Sequence, residues 1–145
     1  MKKLWLILLL GLCCLPCEAK HMAVVVNKSN STANVSAQDL SKIFQVNMRK
    51  WADGKSITIV VRDASSAETQ EALQRIYKMS PTELQAFLAG HKGTFVTVDS
   101  DEALLKIVET TPGAIGLVDV YSITSKVNVV KVDGKLPLEQ GYLLH

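Results

Sequence analysis

The sequence predicts an α/β domain with a mainly parallel or mixed sheet flanked by helices, and three observations predict it. Short β-favouring apolar runs alternate with stretches whose apolar residues recur at spacings of three and four. One run, residues 57–61, is nearly all apolar, the pattern of a strand covered on both faces. Serines stand just ahead of three helical patterns, at Ser36, Ser80 and Ser100, where a hydroxyl can accept from a free N–H of the first turn. Regular alternation of the two element types is the pattern of an α/β domain.

Taken in order, residues 23–26 read as a strand that leaves through the polar loop 27–34. Ser36-Ala37-Gln38-Asp39 starts a helix, with Ser36 as cap and Asp39 in the first turn, and Leu40, Ile43 and Phe44 form its apolar face. Residues 47–54 are a loop carrying Trp51, and a tryptophan in such a place either lines a pocket or, more commonly, folds onto the core. After the strand 57–61, a helix puts Ala72, Leu73, Ile76 and Tyr77 on one side. Ser80-Pro81-Thr82-Glu83 is the clearest start: serine cap, proline in the first turn, glutamate three residues on. Leu84, Phe87 and Leu88 then face inward, and Gly90 is a fitting stop. Residues 95–98 are a strand; Ser100 caps a helix with Ala103, Leu104, Ile107 and Val108 inward. Pro112-Gly113 turns the chain into an apolar strand, 114–120, interrupted by Gly116; 127–132 is a last strand, turned by Asp133-Gly134. The core expected from these spacings includes Leu40, Ile43, Phe44, Ile59, Val61, Leu73, Ile76, Leu84, Phe87, Leu104, Ile107 and Ile115.

The amino terminus bounds the functional class. Met1-Lys2-Lys3 is a short basic start, residues 4–12 are an apolar run of signal-peptide length, and Cys17-Glu18-Ala19 offers small residues at both positions a signal peptidase wants. The expectation is a signal peptide over 1–19, cleaved after Ala19, and one exported domain over 20–145, periplasmic or secreted. A lipoprotein is the weaker alternative, because Leu12, Cys13 and Pro16, not a small residue, precede the three cysteines. All three, Cys13, Cys14 and Cys17, lie in the leader, so the mature chain is expected to have no disulfide, no thiol nucleophile and no cysteine metal site. Cleavage removes Lys2, Lys3 and Glu18, so Lys plus Arg falls from 16 to 14 and Asp plus Glu from 14 to 13. With near-neutral charge and no basic cluster, nucleic acid is not an expected partner. Three Asn-x-Ser/Thr triplets, at Asn27, Asn30 and Asn34, read as loop composition rather than as glycosylation sites. His21, His91 and His145 are scattered without metal-ligand spacing, and there is no nucleophile elbow and no carboxylate pair suited to hydrolysis. No enzyme, metal or cofactor is therefore expected.

The stretch richest in chemistry follows the apolar strand: Arg62-Asp63-Ala64-Ser65-Ser66-Ala67-Glu68-Thr69. A strand that ends in a small-residue turn and feeds a helix aims unpaired first-turn N–H groups, at the positive end of the helix dipole, towards one point. An oxyanion suits that point, and Arg62 can add a planar fork of donors. The plainer alternative, favoured by these residues alone, is that Ser65 merely caps the helix and Arg62 lies on the surface.

Several pieces in this order resemble the phosphate-binding proteins of bacterial ABC importers. They are Leu40-x-x-Ile43-Phe44, Arg49-Lys50-Trp51-x-Asp53-Gly54, the strand into Arg62 with its serine turn, Pro112-Gly113-Ala114-Ile115-Gly116, and the closing Gly141-Tyr142-Leu143-Leu144. The resemblance implies a single lobe of a type II periplasmic-binding-protein-like fold, matching mainly the second of the two lobes that close on an anion in that family. It also implies ligand-binding roles for Arg62, Ser65, Ser66, Ala67 and Thr69. Arg62 and Ser66 match the family turn, while Ser65 and Ala67 stand for its glycines and Glu68 for its threonine; Thr69 serves as a displaced hydroxyl if the register slips by one. Lost glycine limits close backbone approach, and the carboxylate at Glu68 matters more. Two unit charges ~4 Å apart at an effective dielectric of ~20 repel by about 4 kcal/mol. Ser65-x-x-Glu68 is also a capping box, by which the chain satisfies its own helix end.

Two functions follow as expectations. One is a periplasmic solute-binding module for phosphate or a related small oxyanion, serving transport or sensing. The other is an accessory module that kept the lobe, lost tight anion binding, and docks on a membrane transporter, a sensor or a copy of itself.

Overall fold

The computed structural model describes residues 22–62, 67–91, 94–139 and 142, with residues 67–70 as backbone only. The expected signal peptide, the turn serines Ser65 and Ser66, the Glu68 side chain, and His21 and His145 lie outside the described residues or side chains. Six strands form one mixed sheet: β1 (Met22–Asn27), β2 (Asn34–Val35), β3 (Thr58–Arg62), β4 (Phe95–Val98), β5 (Ala114–Asp119) and β6 (Val127–Val132), in the order β2-β6-β1-β5-β3-β4. Strands β4, β3 and β5 run parallel, β1 runs antiparallel to both β5 and β6, and β2 adds in parallel to β6. Among the described residues four helices cover it: α1 (Ala37–Phe44), α2 (Ala67–Tyr77), α3 (Pro81–Gly90) and α4 (Asp101–Thr110).

Successive side chains of a strand point to opposite faces, so a strand buried throughout feeds two cores. In β1 all six residues are buried; Met22, Val24 and Val26 join the larger core and Val25 the smaller. Strand β3 divides in the same way, with Ile59 and Val61 on one face and Val60 on the other. The larger core collects Leu40, Ile43 and Phe44 from α1, Leu73, Ile76 and Tyr77 from α2 and Leu84 from α3. Helix α4 closes the opposite face with Leu104, Leu105 and Val108. Gly116 lets α4 approach: it pairs with Val25 and Val60 inside β5, and a Cβ there would meet Leu104 Cδ2 at 2.6 Å. The strand thus runs unbroken through the expected interruption. Of the expected core, Phe87 and Ile107 are only partly buried, at the rims of the two clusters, and the rest are buried.

All three serine caps form. Ser36 Oγ accepts from the Asp39 N–H at 3.0 Å, Ser100 Oγ from Ala103 at 3.1 Å, and Ser80 and Glu83 make the reciprocal box at 3.2 and 3.1 Å. Helix α3 ends at Gly90, as expected, but Gly90 is its last helical residue rather than its cap. His91 caps it instead, with φ −122°, its Nδ1 against the Phe87 carbonyl at 2.8 Å and its ring stacked on Phe87. The loop 27–34 ends in the unexpected β2, Asn34–Val35, which at two residues has no periodicity to read. Asn27 is buried, and its amide donates to the Val108 and Glu109 carbonyls at the end of α4, which ties up the nitrogen a glycan would need.

Candidate functional site

Because β3, β4 and β5 are parallel, their carboxyl ends share one edge of the sheet, the edge where ligands of α/β folds usually sit. Three features meet there. Arg62 is the last residue of β3, α2 opens five residues on at Ala67, and α4 opens at Asp101 after β4. The end of β5 runs into a short 3-10 turn, Val120–Ser122, held by Asp119 Oδ1 accepting from the Tyr121 N–H at 3.0 Å.

Arg62 stands at the strand end where the sequence put it, yet it is already engaged. Its Nη1 donates to Asp101 Oδ1 at 3.1 Å, with the two side chains 25% and 15% exposed. Asp101 Oδ2 accepts from the Asp119 N–H at 3.3 Å and from Ser122 Oγ at 3.0 Å. Three donors from three elements thus converge on one carboxylate. Arg62 Nε is buried and has no hydrogen-bond partner among the described residues. A buried donor left without an acceptor carries a desolvation penalty, so Nε is the unsatisfied part of this guanidinium.

Of the expected site residues, Ala67 and Thr69 lie in the first turn of α2, the helix that follows β3; Ser65 and Ser66 lie outside the described residues. Asp101, Asp119 and Ser122 were not among the expected site residues. Their contacts to Arg62 and to one another span 18 to 39 residues, and only the strand order brings them together. Trp51 is at the other end of the sheet. It is buried, and its Nε1 donates at 2.9 Å to the carbonyl of Gly113, which precedes β5. Gly113 sits at φ +87°, and a Cβ there would lie 2.2 Å from the Ser56 carbonyl oxygen. Tyr142, from the expected closing element, is buried in the larger core. Among the described residues no helix is long and apolar enough to cross a membrane.

The fold has relatives. The phosphate-binding protein PstS of Bacillus subtilis is 31% identical over 121 residues, covering 80% of this chain and 37% of that protein. Among solved structures, an ABC-type phosphate transport receptor from Vibrio cholerae superposes with a TM-score of 0.71 at 19% identity, over 86% of this chain and 53% of its own. A putative phosphate ABC transporter substrate-binding protein from Clostridium perfringens, solved with bound phosphate, gives 0.65 at 22% identity, over 79% and 46%. The chain spans about half the length of these solved structures and little more than a third of the curated relative, so the fold is that of one lobe. The family model for the PBP superfamily domain matches residues 13–141, nearly the whole chain, and the chain belongs to that superfamily.

Proposed function

We propose that this chain is a periplasmic solute-binding module for a small oxyanion, phosphate being the first candidate, with Arg62 as counter-charge and the Ser65–Ser66 turn and first N–H groups of α2 as donors. One observation carries the reading: Arg62 ends β3 at the carboxyl edge of the sheet with its Nε buried and unpaired among the described residues, just ahead of a helix amino terminus. Kinship to a protein named for phosphate binding supports the choice of anion. Export follows from the amino-terminal pattern, with the mature chain starting at Lys20. Titration calorimetry of the purified protein with phosphate and sulfate tests the reading. Saturable binding that Arg62→Ala weakens is the expected result; heats indistinguishable from dilution for every anion would sink it.

The pairing of Arg62 with Asp101 favours a second reading, an accessory module whose anion seat is spent on internal structure. Tyr121, 80% exposed in the 3-10 turn one residue before Ser122, is then a contact for a transporter, a sensor or a second copy of the chain. Absent anion binding together with a concentration-dependent rise in sedimentation coefficient, or co-purification with a membrane protein, is its signature.

A further inference from the structure

We propose that Asp101 is a tethered internal anion that competes with an external oxyanion for Arg62 and so sets the affinity of the site; this rests on the reading of Arg62 as the counter-charge. The geometry is that of a small anion already in place. One carboxylate oxygen takes the guanidinium and the other takes a backbone N–H and a hydroxyl, three donors supplied by β3, the end of β5 and the 3-10 turn. Asp101 needs no such anchorage to serve α4, because Ser100 already caps that helix. Both charges are largely withdrawn from water, so dissolved salt screens the pair poorly.

The engagement leaves one guanidinium donor unused. Asp101 meets Arg62 through a hydrogen bond from Nη1, while Nε stays buried without an acceptor among the described residues. Guanidinium binds best when two parallel N–H groups meet two oxygens. A tetrahedral oxyanion at the α2 terminus offers a second oxygen to Nε, which Asp101 in this position does not. The carboxylate also lowers the net positive charge the ligand meets. The site therefore holds an anion more weakly than Arg62 and a helix terminus alone would.

The test uses inorganic phosphate, with acetate as the monocarboxylate control, on the purified wild type, Asp101→Asn, Arg62→Ala and the double variant, each checked for folding by circular dichroism. Asp101→Asn keeps an oxygen for Nη1 but removes the charge, and phosphate affinity should rise about tenfold or more, close to 1.4 kcal/mol per decade. Arg62→Ala in the same chain should abolish the gain. Phosphate binding detectable in Asp101→Asn and absent in wild type also supports competition. Wild-type binding that depends on Arg62 but is unchanged or weaker in Asp101→Asn overturns the role of Asp101 and leaves the anion reading standing. Binding in none of the four proteins overturns both. Should Asp101→Asn not fold, Ser122→Ala removes one of the donors holding the carboxylate. A smaller rise in affinity is expected there, and no rise counts against the proposal. Independently, phosphate should shift the Arg62 Nε–H nuclear resonance; an Nε–H signal unmoved at saturation contradicts the proposed second contact.

Discussion

Replacing Tyr77 by Phe should stabilise this protein, against the usual direction of core substitutions. Tyr77 is 1% exposed and packed among three rings, with centroids 5.7 Å from Phe44, 5.4 Å from Phe87 and 6.4 Å from Phe95. Its hydroxyl is buried and finds no hydrogen-bond partner among the described residues. A phenol transferred from water without a new partner loses its hydration, a penalty of roughly 1–3 kcal/mol in proteins. Tyr77→Phe keeps the ring, its area and its edge-to-face contacts, so it removes the penalty and little else. Part of the gain is lost to the small void left by the oxygen, and a net increase of about 1 kcal/mol is expected. Urea denaturation followed by far-ultraviolet circular dichroism measures it, with the midpoint rising at an unchanged slope. A thermal midpoint higher by roughly 2–8 °C is the corresponding shift. If Tyr77→Phe instead loses 1 kcal/mol or more, the hydroxyl is hydrogen-bonded in solution and the account of this aromatic cluster is wrong.

Burial raises the phenol of Tyr77 well above its ordinary value and pushes Tyr142 up to about 12. The unfolded chain then releases these protons near pH 10 while the folded one holds them, so stability present below pH 10 falls above it. The loss should be about 1 kcal/mol between pH 10 and 11 for each tyrosine, approaching about 1.4 kcal/mol per pH unit as the unfolded phenol ionises fully, and Tyr77→Phe should remove one such contribution. Gly113→Ala places a methyl against the Ser56 carbonyl at a φ of +87°, and a loss of about 2 kcal/mol or more in chemical denaturation is expected; a loss below half that means the turn relaxes freely. Trp51→Phe removes the bond to the Gly113 carbonyl, which still accepts from Thr58 at 3.1 Å, so a loss of only about 1 kcal/mol beyond repacking should appear in the same assay. Phe87→Ala should lose less than the ~3–5 kcal/mol of a fully buried phenylalanine, because Phe87 sits at the rim of the core, whereas Leu84→Ala should lose about 2–5. Equal losses at the two positions would show that α3 packs more deeply than described.

By itself the sequence determined those parts of the protein that rest on short-range physics. Serine hydroxyls at 36, 80 and 100 reach N–H groups three residues on, so the starts of α1, α3 and α4 were legible from neighbours alone. Apolar spacing identified the inward faces of α1 and α2, and the unbroken apolar run at 57–61 identified a strand covered on both sides. Arg62 at the end of that strand was legible in the same way. What the tertiary structure decided were contacts between residues far apart in the chain. No local signal tells that β1 runs antiparallel to both neighbours, because side-chain alternation is the same in either direction. Nor does periodicity reveal β2, which exists only because β6 offers it an edge. Above all, local reading set the nearby Glu68 as the carboxylate opposed to an anion, whereas the partner found on Arg62 is Asp101, 39 residues away. That pairing depends on β4 lying next to β3 and on α4 starting where β4 ends, and strand order is a property of the folded chain.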